Sequence, residues 1–349
     1  MTTDLAPTAP QLPDTRLAFE RTVARSLVHR SSVSEVFVTD VRPQSDTTVL
    51  TGAQLPLNHG YFSDHLQSPR LYDALLLLEA GRQAGIAGSH AHIGLKAGTT
   101  MIVDSFTLRL ENLPALLIGA DPGELTVETE YIGRRRRAGR WRKGTIEQSF
   151  HIGGVPVGRH AMDALFVNPH ENEILRHAQR GTPAPLTSQF PDTEPAGHAA
   201  PHLVGRANPL NVVLADPAVT GRTATALVAP RYGNRSLFDH DYDHLPASVL
   251  VEAARQLALL AVGEHAGAEA RSRTHLVGID AAFARFAELD LPVHAELALS
   301  EAESGRTSAE VRFRHGAEEI ASITVALAEV RELPDAPVVG SDTATSTTE

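Results

Sequence analysis

The sequence contains no cysteine among its 349 residues. This absence excludes a disulfide scaffold, a thiolate nucleophile and a zinc site with cysteine ligands. Basic residues are also in short supply, because 31 lysines and arginines face 42 aspartates and glutamates, a formal net charge of −11. This excess of negative charge disfavours a general nucleic-acid-binding protein, since such proteins neutralise phosphates with Lys and Arg.

Several other sequence signals are missing. No apolar run approaches the roughly 20 residues that a helix needs to cross a bilayer. The N-terminal segment MTTDLAPTAPQLPD has neither a basic nor an apolar stretch, so we expect no secretory signal and a cytoplasmic protein. A P-loop, a GxGxxG dinucleotide fingerprint and a GxSxG nucleophile motif are absent, so ATP, NAD and a serine-hydrolase mechanism are not indicated.

Composition divides the chain into two large blocks. Hydrophobic residues make up 42% of the sequence, which is enough for a real core. Residues 1–19 and 334–349 are poor in apolar side chains and are expected to be disordered tails. Residues 169–202 hold six prolines, so we predict a linker without helices or strands there. The remaining blocks, 20–168 and 203–333, are each the size of a domain.

The two blocks repeat each other. The run EAGRQ at 79–83 recurs as EAARQ at 252–256, an offset of 173. VHR followed by EVFVTD matches VGR followed by NVVLAD at an offset of 176, and VDSFTLRLENLP is echoed by GIDAAFARFAELDLP. Three matches in the same order at nearly constant offset indicate an internal duplication.

Each block has the same predicted order of elements. In the first block, β-like runs at 35–40 and 48–55 precede a polar loop, a long apolar helix at about 71–92 and several strands. In the second block the first β-like run lies at 211–216 and the helix at about 246–266. One long helix with a strand-rich remainder predicts an α+β fold in which the helix packs on an antiparallel sheet.

Three polar side chains interrupt the apolar helix of the second block. Glu252, Arg255 and Gln256 are spaced i, i+3, i+4, which places them on one helix face. Burying a charge without a partner costs several kcal/mol, so one such cluster could be a Glu–Arg pair that satisfies itself. The first block repeats the cluster at the equivalent positions, which are Glu79, Arg82 and Gln83. Because the costly arrangement occurs in both blocks, we favour a functional interpretation.

Histidines occupy the loop before each of these helices. The first loop holds His59 and His65, and the second, FDHDYDH, holds His240 and His244. A loop histidine and a helix glutamate can together supply an acid–base pair, although solvated loop histidines are the alternative. We favour a function for His240, because the aspartates that flank it could orient or charge it.

At these residues the chain resembles the A-factor biosynthesis family, the double hotdog proteins that make precursors of γ-butyrolactone signals in actinomycetes. The resemblance covers about 25–330 and rests on VHRSSVSEVFVTD, LPLNHGYF, YDALLLLEAGRQAG, VGRANPLNVVLADP and FDHDYDHLPASVLVEAARQ. It implies a tandem hotdog fold in which each half has a long central helix wrapped by a curved antiparallel sheet. The acyl site is then expected where the helix glutamate of one half meets loop residues of the other.

The resemblance also implies an activity. Members of this family move a β-ketoacyl group from an acyl carrier protein to dihydroxyacetone phosphate, which gives the phosphorylated β-keto ester precursor of a butyrolactone or butenolide signal that controls antibiotic production. The residues implied to be catalytic are Glu79, Glu252, His240 and Arg255. Substrate-binding roles are expected for Arg82, Gln83, Gln256, His65, His59 and His244.

In the expected mechanism, a helix glutamate is the general base and His240 polarises the carbonyl or protonates the leaving thiol. Arg255 or a nearby arginine holds the phosphate, and the N-terminal end of a central helix stabilises the oxyanion. The expected partners are the carrier protein and dihydroxyacetone phosphate. We expect no nucleic acid, membrane, metal or cofactor, and a homo-oligomer is left open.

Two alternative functions were weighed. One is a hotdog dehydratase or thioesterase that acts on acyl-carrier-protein or coenzyme A substrates; the other is a non-catalytic acyl- or butyrolactone-binding regulator. The paired EAxRQ helices favour the acyltransferase over the dehydratase or thioesterase. The helix glutamate is present in both halves, which disfavours the non-catalytic regulator.

Three details leave room for other interpretations. The basic run Arg134–Arg137 predicts a hairpin tip that is either a solvated turn or a docking surface for an acidic carrier protein. The FDHDYDH loop would also suit zinc or manganese, although the hotdog interpretation explains it without metal. Finally, Asp73-Ala74 and Pro246-Ala247 stand where the family has Asp-Pro and Pro-Gly, and the second change could alter a close backbone approach to the acyl carbonyl.

Overall fold

One continuous antiparallel sheet of twelve strands organises the protein. The computed structural model describes residues 16–137, 140–301 and 306–331. The strands of the first half are β1 (Val38–Pro43), β2 (Thr48–Leu55), β3 (Thr100–Leu110), β4 (Gly123–Arg137), β5 (Arg140–Ile152) and β6 (Val155–Val167). Those of the second half are β7 (Leu214–Thr220), β8 (Thr223–Val228), β9 (Thr274–Phe283), β10 (His294–Glu301), β11 (Arg306–His315) and β12 (Glu318–Glu329).

The strand order shows the duplication directly. The order is β1-β2-β4-β5-β6-β3 in the first half and then β9-β12-β11-β10-β8-β7, the same order reversed. The halves join where β3 pairs with β9, with Thr107 opposite Asp280, residues 173 apart. The pairing therefore places the two halves about a pseudo-twofold axis, and the expected α+β tandem arrangement is confirmed.

Two long helices lie against this sheet. Helix α1 (Ala74–Ala91) packs on β1, β2 and β4, and helix α3 (Ala247–Ala266) packs on the corresponding strands of the second half and on β11 and β12. Small residues let α1 approach closely: a Cβ atom at Gly81 would lie 2.7 Å from the Phe150 ring, and Gln148 donates to the Gly81 carbonyl at 2.8 Å. Both helices are buried on most faces, so their polar residues lie inside the protein.

The expectation of a linker without regular structure was wrong over part of 169–202. Helix α2 (Pro169–Arg180) begins at a capping box formed by Asn168 and Glu171, and proline is favourable at the first position of a helix because its missing N–H needs no partner there. The helix docks on the second half through buried Arg176, which donates to Glu288 at 2.8 Å. A further short helix, α4 (Ala268–Arg273), follows α3.

The expected tails and basic run fall partly outside the described residues. Of 1–19, only 16–19 are described, and Ala18 donates its N–H to Asp40 at 3.1 Å; of 334–349 none is described. The hairpin is confirmed, because β4 and β5 pair as far as Arg137 opposite Arg140. The side chains of 134–140 lie outside the description, and Arg142 nearby is bonded to the α2 residue Glu171 at 2.5 Å.

Candidate active site

Each central helix carries the expected polar trio. In α1, Nε of Arg82 donates to Oε2 of Glu79 at 2.8 Å, and Nε2 of Gln83 donates to Oε1 at 2.6 Å. In α3, Nη2 of Arg255 and Nε2 of Gln256 likewise donate to Glu252, each at 2.5 Å. We name these the first and the second cluster, after the half that supplies the helix.

The two glutamines are fully engaged inside the protein. The side-chain oxygen of Gln83 accepts the N–H of Phe37, and its nitrogen donates to the Glu35 carbonyl as well as to Glu79. Gln256 makes the equivalent three bonds one repeat later. Both side chains are completely buried. We therefore assign them to positioning the glutamate, in place of the substrate binding expected from the sequence.

A second arginine reaches each glutamate from outside the helix. Arg30 donates from Nε to Glu79 at 3.1 Å, and Arg206 donates from Nε to Glu252 at 2.9 Å. Sequence reasoning missed both, although they end the repeated VHR and VGR motifs that revealed the duplication. Each helix carboxylate is thus paired with two guanidinium groups.

The first half completes the second cluster. The Tyr61 hydroxyl donates to Glu252 at 3.1 Å, and the Arg206 guanidinium lies 4.4 Å over the Tyr61 ring. Nη1 of Arg255 donates at 2.7 Å to Asp73, whose other carboxylate oxygen accepts the N–H of the second residue of α1. Both terminal nitrogens of Arg255 therefore already have acid partners, which disfavours the expected role as the phosphate ligand.

The second half completes the first cluster in turn. Nη1 of Arg30 donates to Asp239 at 3.3 Å, and the Ser31 N–H donates to the same carboxylate at 2.7 Å. Nδ1 of His240 lies 2.6 Å from Asp239. The site residues of each half therefore meet loop residues of the other, as the resemblance implied.

The aspartates of the FDHDYDH loop each hold a different neighbour. Asp239 orients His240 as predicted, whereas Asp241 accepts from the Ser188 N–H at 3.0 Å in the segment after α2. Asp243 accepts from Arg176 and also lies 2.6 Å from Nδ1 of His244. These bonds hold the loop in place while the side chain of His240 is 41% exposed.

The other predicted histidines are less available. Nδ1 of His59 accepts the N–H groups of Tyr61 and Phe62, and this bonding fixes the turn. Nε2 of His65 is bonded to the Leu71 carbonyl at 3.0 Å, and burial lowers the pKa of His65. His244 is partly exposed and packs edge-on against a phenylalanine ring 4.9 Å away. Of the four predicted histidines, the structure thus brings only His240 to the first cluster.

A pair of histidines that the sequence did not single out adjoins the first cluster. Nε2 of His29 lies 2.7 Å from Nε2 of His90, and Nδ1 of His90 is bonded to a backbone carbonyl. Burial, together with the charges of His90, Arg82 and His240, lowers the pKa of His29 to about 4. His29 is therefore neutral at pH 7.

Ion pairing sets the protonation states of the first cluster. Burial by itself would raise the pKa of Glu79, but Arg30 and Arg82 lower it to about 2. Burial likewise opposes ionisation of Asp239, yet bonds from His240 and Ser31 and the charge of Arg30 lower its pKa below the usual range. Both carboxylates are ionised at neutral pH.

The Glu79 shift predicts a loss of stability in acid. The folded-state pKa lies below the unfolded value, so the contribution is fully present above about pH 5 and disappears as the pH falls toward 2. We expect a total loss of about 3 kcal/mol from this group, of which about 2 kcal/mol is lost between pH 6 and pH 3. Urea unfolding at pH 6 and pH 3 should show it in the wild type, whereas Glu79→Gln should show a correspondingly flatter dependence; equal dependences would contradict the assignment.

Two features are absent from the described ranges. No helix there is both long and apolar enough to span a membrane. Within the same ranges no three His, Asp or Glu side chains gather as possible metal ligands. The FDHDYDH aspartates instead make the bonds given above.

Comparison with protein families gives a match over most of the chain. The family described as "A-factor biosynthesis hotdog domain" matches residues 13–168 and 187–330. A protein of Streptomyces virginiae named 2-oxo-3-(phosphooxy)propyl 3-oxoalkanoate synthase is 32% identical over 78% of this chain and 85% of its own length. Identically named proteins of Streptomyces coelicolor and Streptomyces griseus are 27% and 30% identical over 77% and 72% of this chain, and over 80% of their own lengths.

Solved structures resemble the chain more distantly. A putative thioesterase from Novosphingobium aromaticivorans superposes with a TM-score of 0.48 at 11% identity, covering 83% of this chain and 98% of its own. The 12:0-ACP thioesterase of Umbellularia californica gives 0.47 at 12% identity, covering 80% and 93%. At these values the likeness carries no argument about chemistry.

Proposed function

The chain belongs to the A-factor biosynthesis hotdog family, and from this premise we propose that it is an acyltransferase that makes a 2-oxo-3-(phosphooxy)propyl 3-oxoalkanoate. The acyl donor in this proposal is a β-ketoacyl thioester of acyl carrier protein, and the acceptor is dihydroxyacetone phosphate. The product is the precursor of a butyrolactone or butenolide signal.

One observation carries the proposal. A partly exposed imidazole, His240, is held by buried Asp239 beside an arginine-rich cluster that contains an ionised carboxylate. Ester formation from a thioester needs a group that takes a proton from a hydroxyl and delivers one to a thiol. Transfer to a phosphorylated acceptor also needs a cationic group that binds the phosphate.

His240 suits the proton transfer better than a helix glutamate. A base works best when its pKa is near the working pH, and the pKa of Glu79 is about 2. Because Asp239 is ionised, Nδ1 of His240 donates to it, which leaves the lone pair of Nε2 free to accept a proton. We therefore reassign the base from the glutamates to His240 and give Glu79 the role of holding Arg30 and Arg82 in place.

Arg82 suits the phosphate better than Arg255. Nε and Nη2 of Arg82 donate to Glu79, and Nη1 has no partner among the described residues. The side chain is 34% exposed, so a phosphate can reach it from solvent. An arginine held by a carboxylate on one edge presents its other edge in a fixed orientation, which suits phosphate recognition.

The proposed reaction proceeds in two steps. Nε2 of His240 takes the hydroxyl proton of dihydroxyacetone phosphate as its oxygen bonds to the thioester carbon, which gives a tetrahedral oxyanion. The carbonyl then re-forms, the carbon–sulfur bond breaks, and His240 returns the proton to the departing thiolate of the carrier protein. Helix α3 has no side-chain cap at its start, so its first N–H groups can bind the oxyanion.

An assay with purified components tests the proposal. The protein is incubated with a β-ketoacyl-carrier-protein thioester and dihydroxyacetone phosphate, and products are identified by mass spectrometry. We expect the phosphorylated β-keto ester and free carrier-protein thiol in equal amounts. Free β-keto acid alone would identify a thioesterase, a dehydrated thioester a dehydratase, and an unreacted but bound thioester a non-catalytic binding protein; each of these would refute the proposal.

A further inference from the structure

The two clusters differ sharply in access to solvent. In the second cluster Glu252 is fully buried, and the side chains of Arg206 and Arg255 are 1% and 7% exposed. In the first cluster the side chain of Arg82, the equivalent of Arg255, is 34% exposed. The side chains of Arg30 and Glu79 are only 8% and 10% exposed, so the clusters differ in the helix arginine: Arg255 is sealed and Arg82 is open to solvent.

One residue accounts for most of this difference. In the second cluster, Asp73 of the first half accepts a hydrogen bond from Arg255. The equivalent position of the second half, 173 residues later, is Pro246, which has no carboxylate that could pair with Arg82. Asp73 also accepts the Leu75 N–H at the start of α1, whereas the start of α3 has no side-chain cap. An internal carboxylate thus occupies, in the second cluster, the place that an anionic substrate would need.

The space left beside the second cluster is small. A cavity of about 30 Å³ lies there, lined by His65, Asp73, Arg255 and several leucines. This volume holds one or two water molecules and no acyl chain. Gln67 also lines this cavity, and its buried Nε2 has no hydrogen-bond partner among the described residues.

Histidine side chains lie beside the open cluster. His29, His90 and His240 interact electrostatically with one another or with Arg82, and Arg30 lies on the other side of Glu79. The cluster itself pairs two arginines with two carboxylates, Glu79 and Asp239, and the nearby His29 is neutral at pH 7. The second cluster likewise pairs two arginines with two carboxylates, and His65 and His275 lie beside it.

We propose that the two halves have divided their roles: the first cluster is the single reacting and phosphate-binding centre, and the second cluster is a buried ion-pair network that holds the halves together. This inference rests on the proposed function and assigns the reaction to the first of the two equivalent clusters. Arg82 becomes the residue that binds the phosphate, and His240 the one that transfers the proton. Asp73 is the residue that closes the second position.

Matched substitutions in the two clusters test this division. Arg82→Gln removes the open guanidinium, while Asp73→Asn and Tyr61→Phe alter the second cluster but keep the shape of each side chain. We expect Arg82→Gln to lower kcat/KM by about 100-fold and also to lower the melting temperature by a few degrees, because Glu79 then keeps only Arg30 as its cationic partner. Asp73→Asn and Tyr61→Phe should lower the melting temperature by roughly 3 °C or more and leave kcat/KM within about threefold.

A binding measurement separates this inference from the proposed function. Calorimetric titration with dihydroxyacetone phosphate should show one site per chain in the wild type, lost in Arg82→Gln and kept in Asp73→Asn. If the wild type forms no ester, the proposed function fails, and the titration alone decides the division of roles. Two sites per chain, no binding by the wild type, or binding that Asp73→Asn abolishes and Arg82→Gln leaves intact would each overturn the inference.

Discussion

Replacing Glu252 by glutamine is expected to lower the free energy of unfolding by about 3–5 kcal/mol, the largest stability effect of any single substitution that we propose. Glu252 is fully buried and accepts bonds from Arg206, Arg255, Gln256 and Tyr61. Glutamine has almost the same shape, so the change isolates the loss of the charge from a loss of packing.

The expected size follows from what the substitution leaves behind. Arg206 would lose its acid partner, and its Nη2 atom is already buried without a hydrogen bond. Arg255 would keep only Asp73. A buried guanidinium without a counter-charge retains the full cost of leaving water, which exceeds the gain from the pair itself.

Urea unfolding followed by circular dichroism measures this effect, and Glu310→Gln is the matched control. Glu310 pairs with Arg312 on the surface of β11, where both side chains are about half exposed, so we expect a change within about 0.5 kcal/mol. Similar losses in both variants would mean that the second cluster does not stabilise the fold as described. Such a result would also remove the structural role that we propose for the second cluster.

Replacing Asp239 by asparagine is expected to lower kcat by a factor of about 10² to 10⁴, the range typical for disrupting general acid–base catalysis. The Asp239 side chain is 1% exposed and fixes the His240 ring through Nδ1. An asparagine amide can donate to Nδ1, which favours the tautomer that carries its proton on Nε2. That tautomer cannot accept the proton of the attacking hydroxyl.

Asp241→Asn provides the control within the same loop. Asp241 is exposed and bonds to Ser188 and Thr187. We expect Asp241→Asn to leave kcat within about threefold, because its carboxylate does not contact the imidazole. The comparison distinguishes loss of ring orientation from a general disturbance of the loop.

Nitrogen-15 NMR of labelled histidine supplies a readout that a merely structural role would not change. We expect His240 to carry its proton on Nδ1 in the wild type and to shift toward the Nε2 tautomer in Asp239→Asn. An unchanged tautomer with reduced kcat would mean that Asp239 acts through Arg30 instead. An unchanged kcat in Asp239→Asn would mean that His240, as oriented by Asp239, does not transfer the proton.

Periodic features of the fold were predictable from sequence because they depend on neighbouring residues. The EAxRQ trios lie together because residues three and four apart share a helix face, and β2 occupies the predicted range 48–55. The first strand of each half begins later than predicted, at Val38 and Leu214. There, the side chains of Gln83 and Gln256 bind the backbone that would otherwise join the sheet.

Helix α2 shows why proline density misled the prediction. Six prolines between 169 and 202 indicated irregular chain, but Pro169 lies at the first position of a helix, where it is tolerated. Buried Arg176 then supplies the tertiary contact that makes the short helix stable. That contact joins residues 112 positions apart, so no local sequence pattern could predict it.

The sequence by itself determined the duplication, the α+β tandem architecture and the pairing of an acid, a guanidinium and an amide on each axial helix. Local spacing and repetition are sufficient for those features. Only the tertiary structure decided which arginine is open to solvent, because Asp73 reaches Arg255 across 182 residues of sequence. The free energy of an ion pair depends on burial and on every partner within a few ångströms, and folding alone brings those partners together.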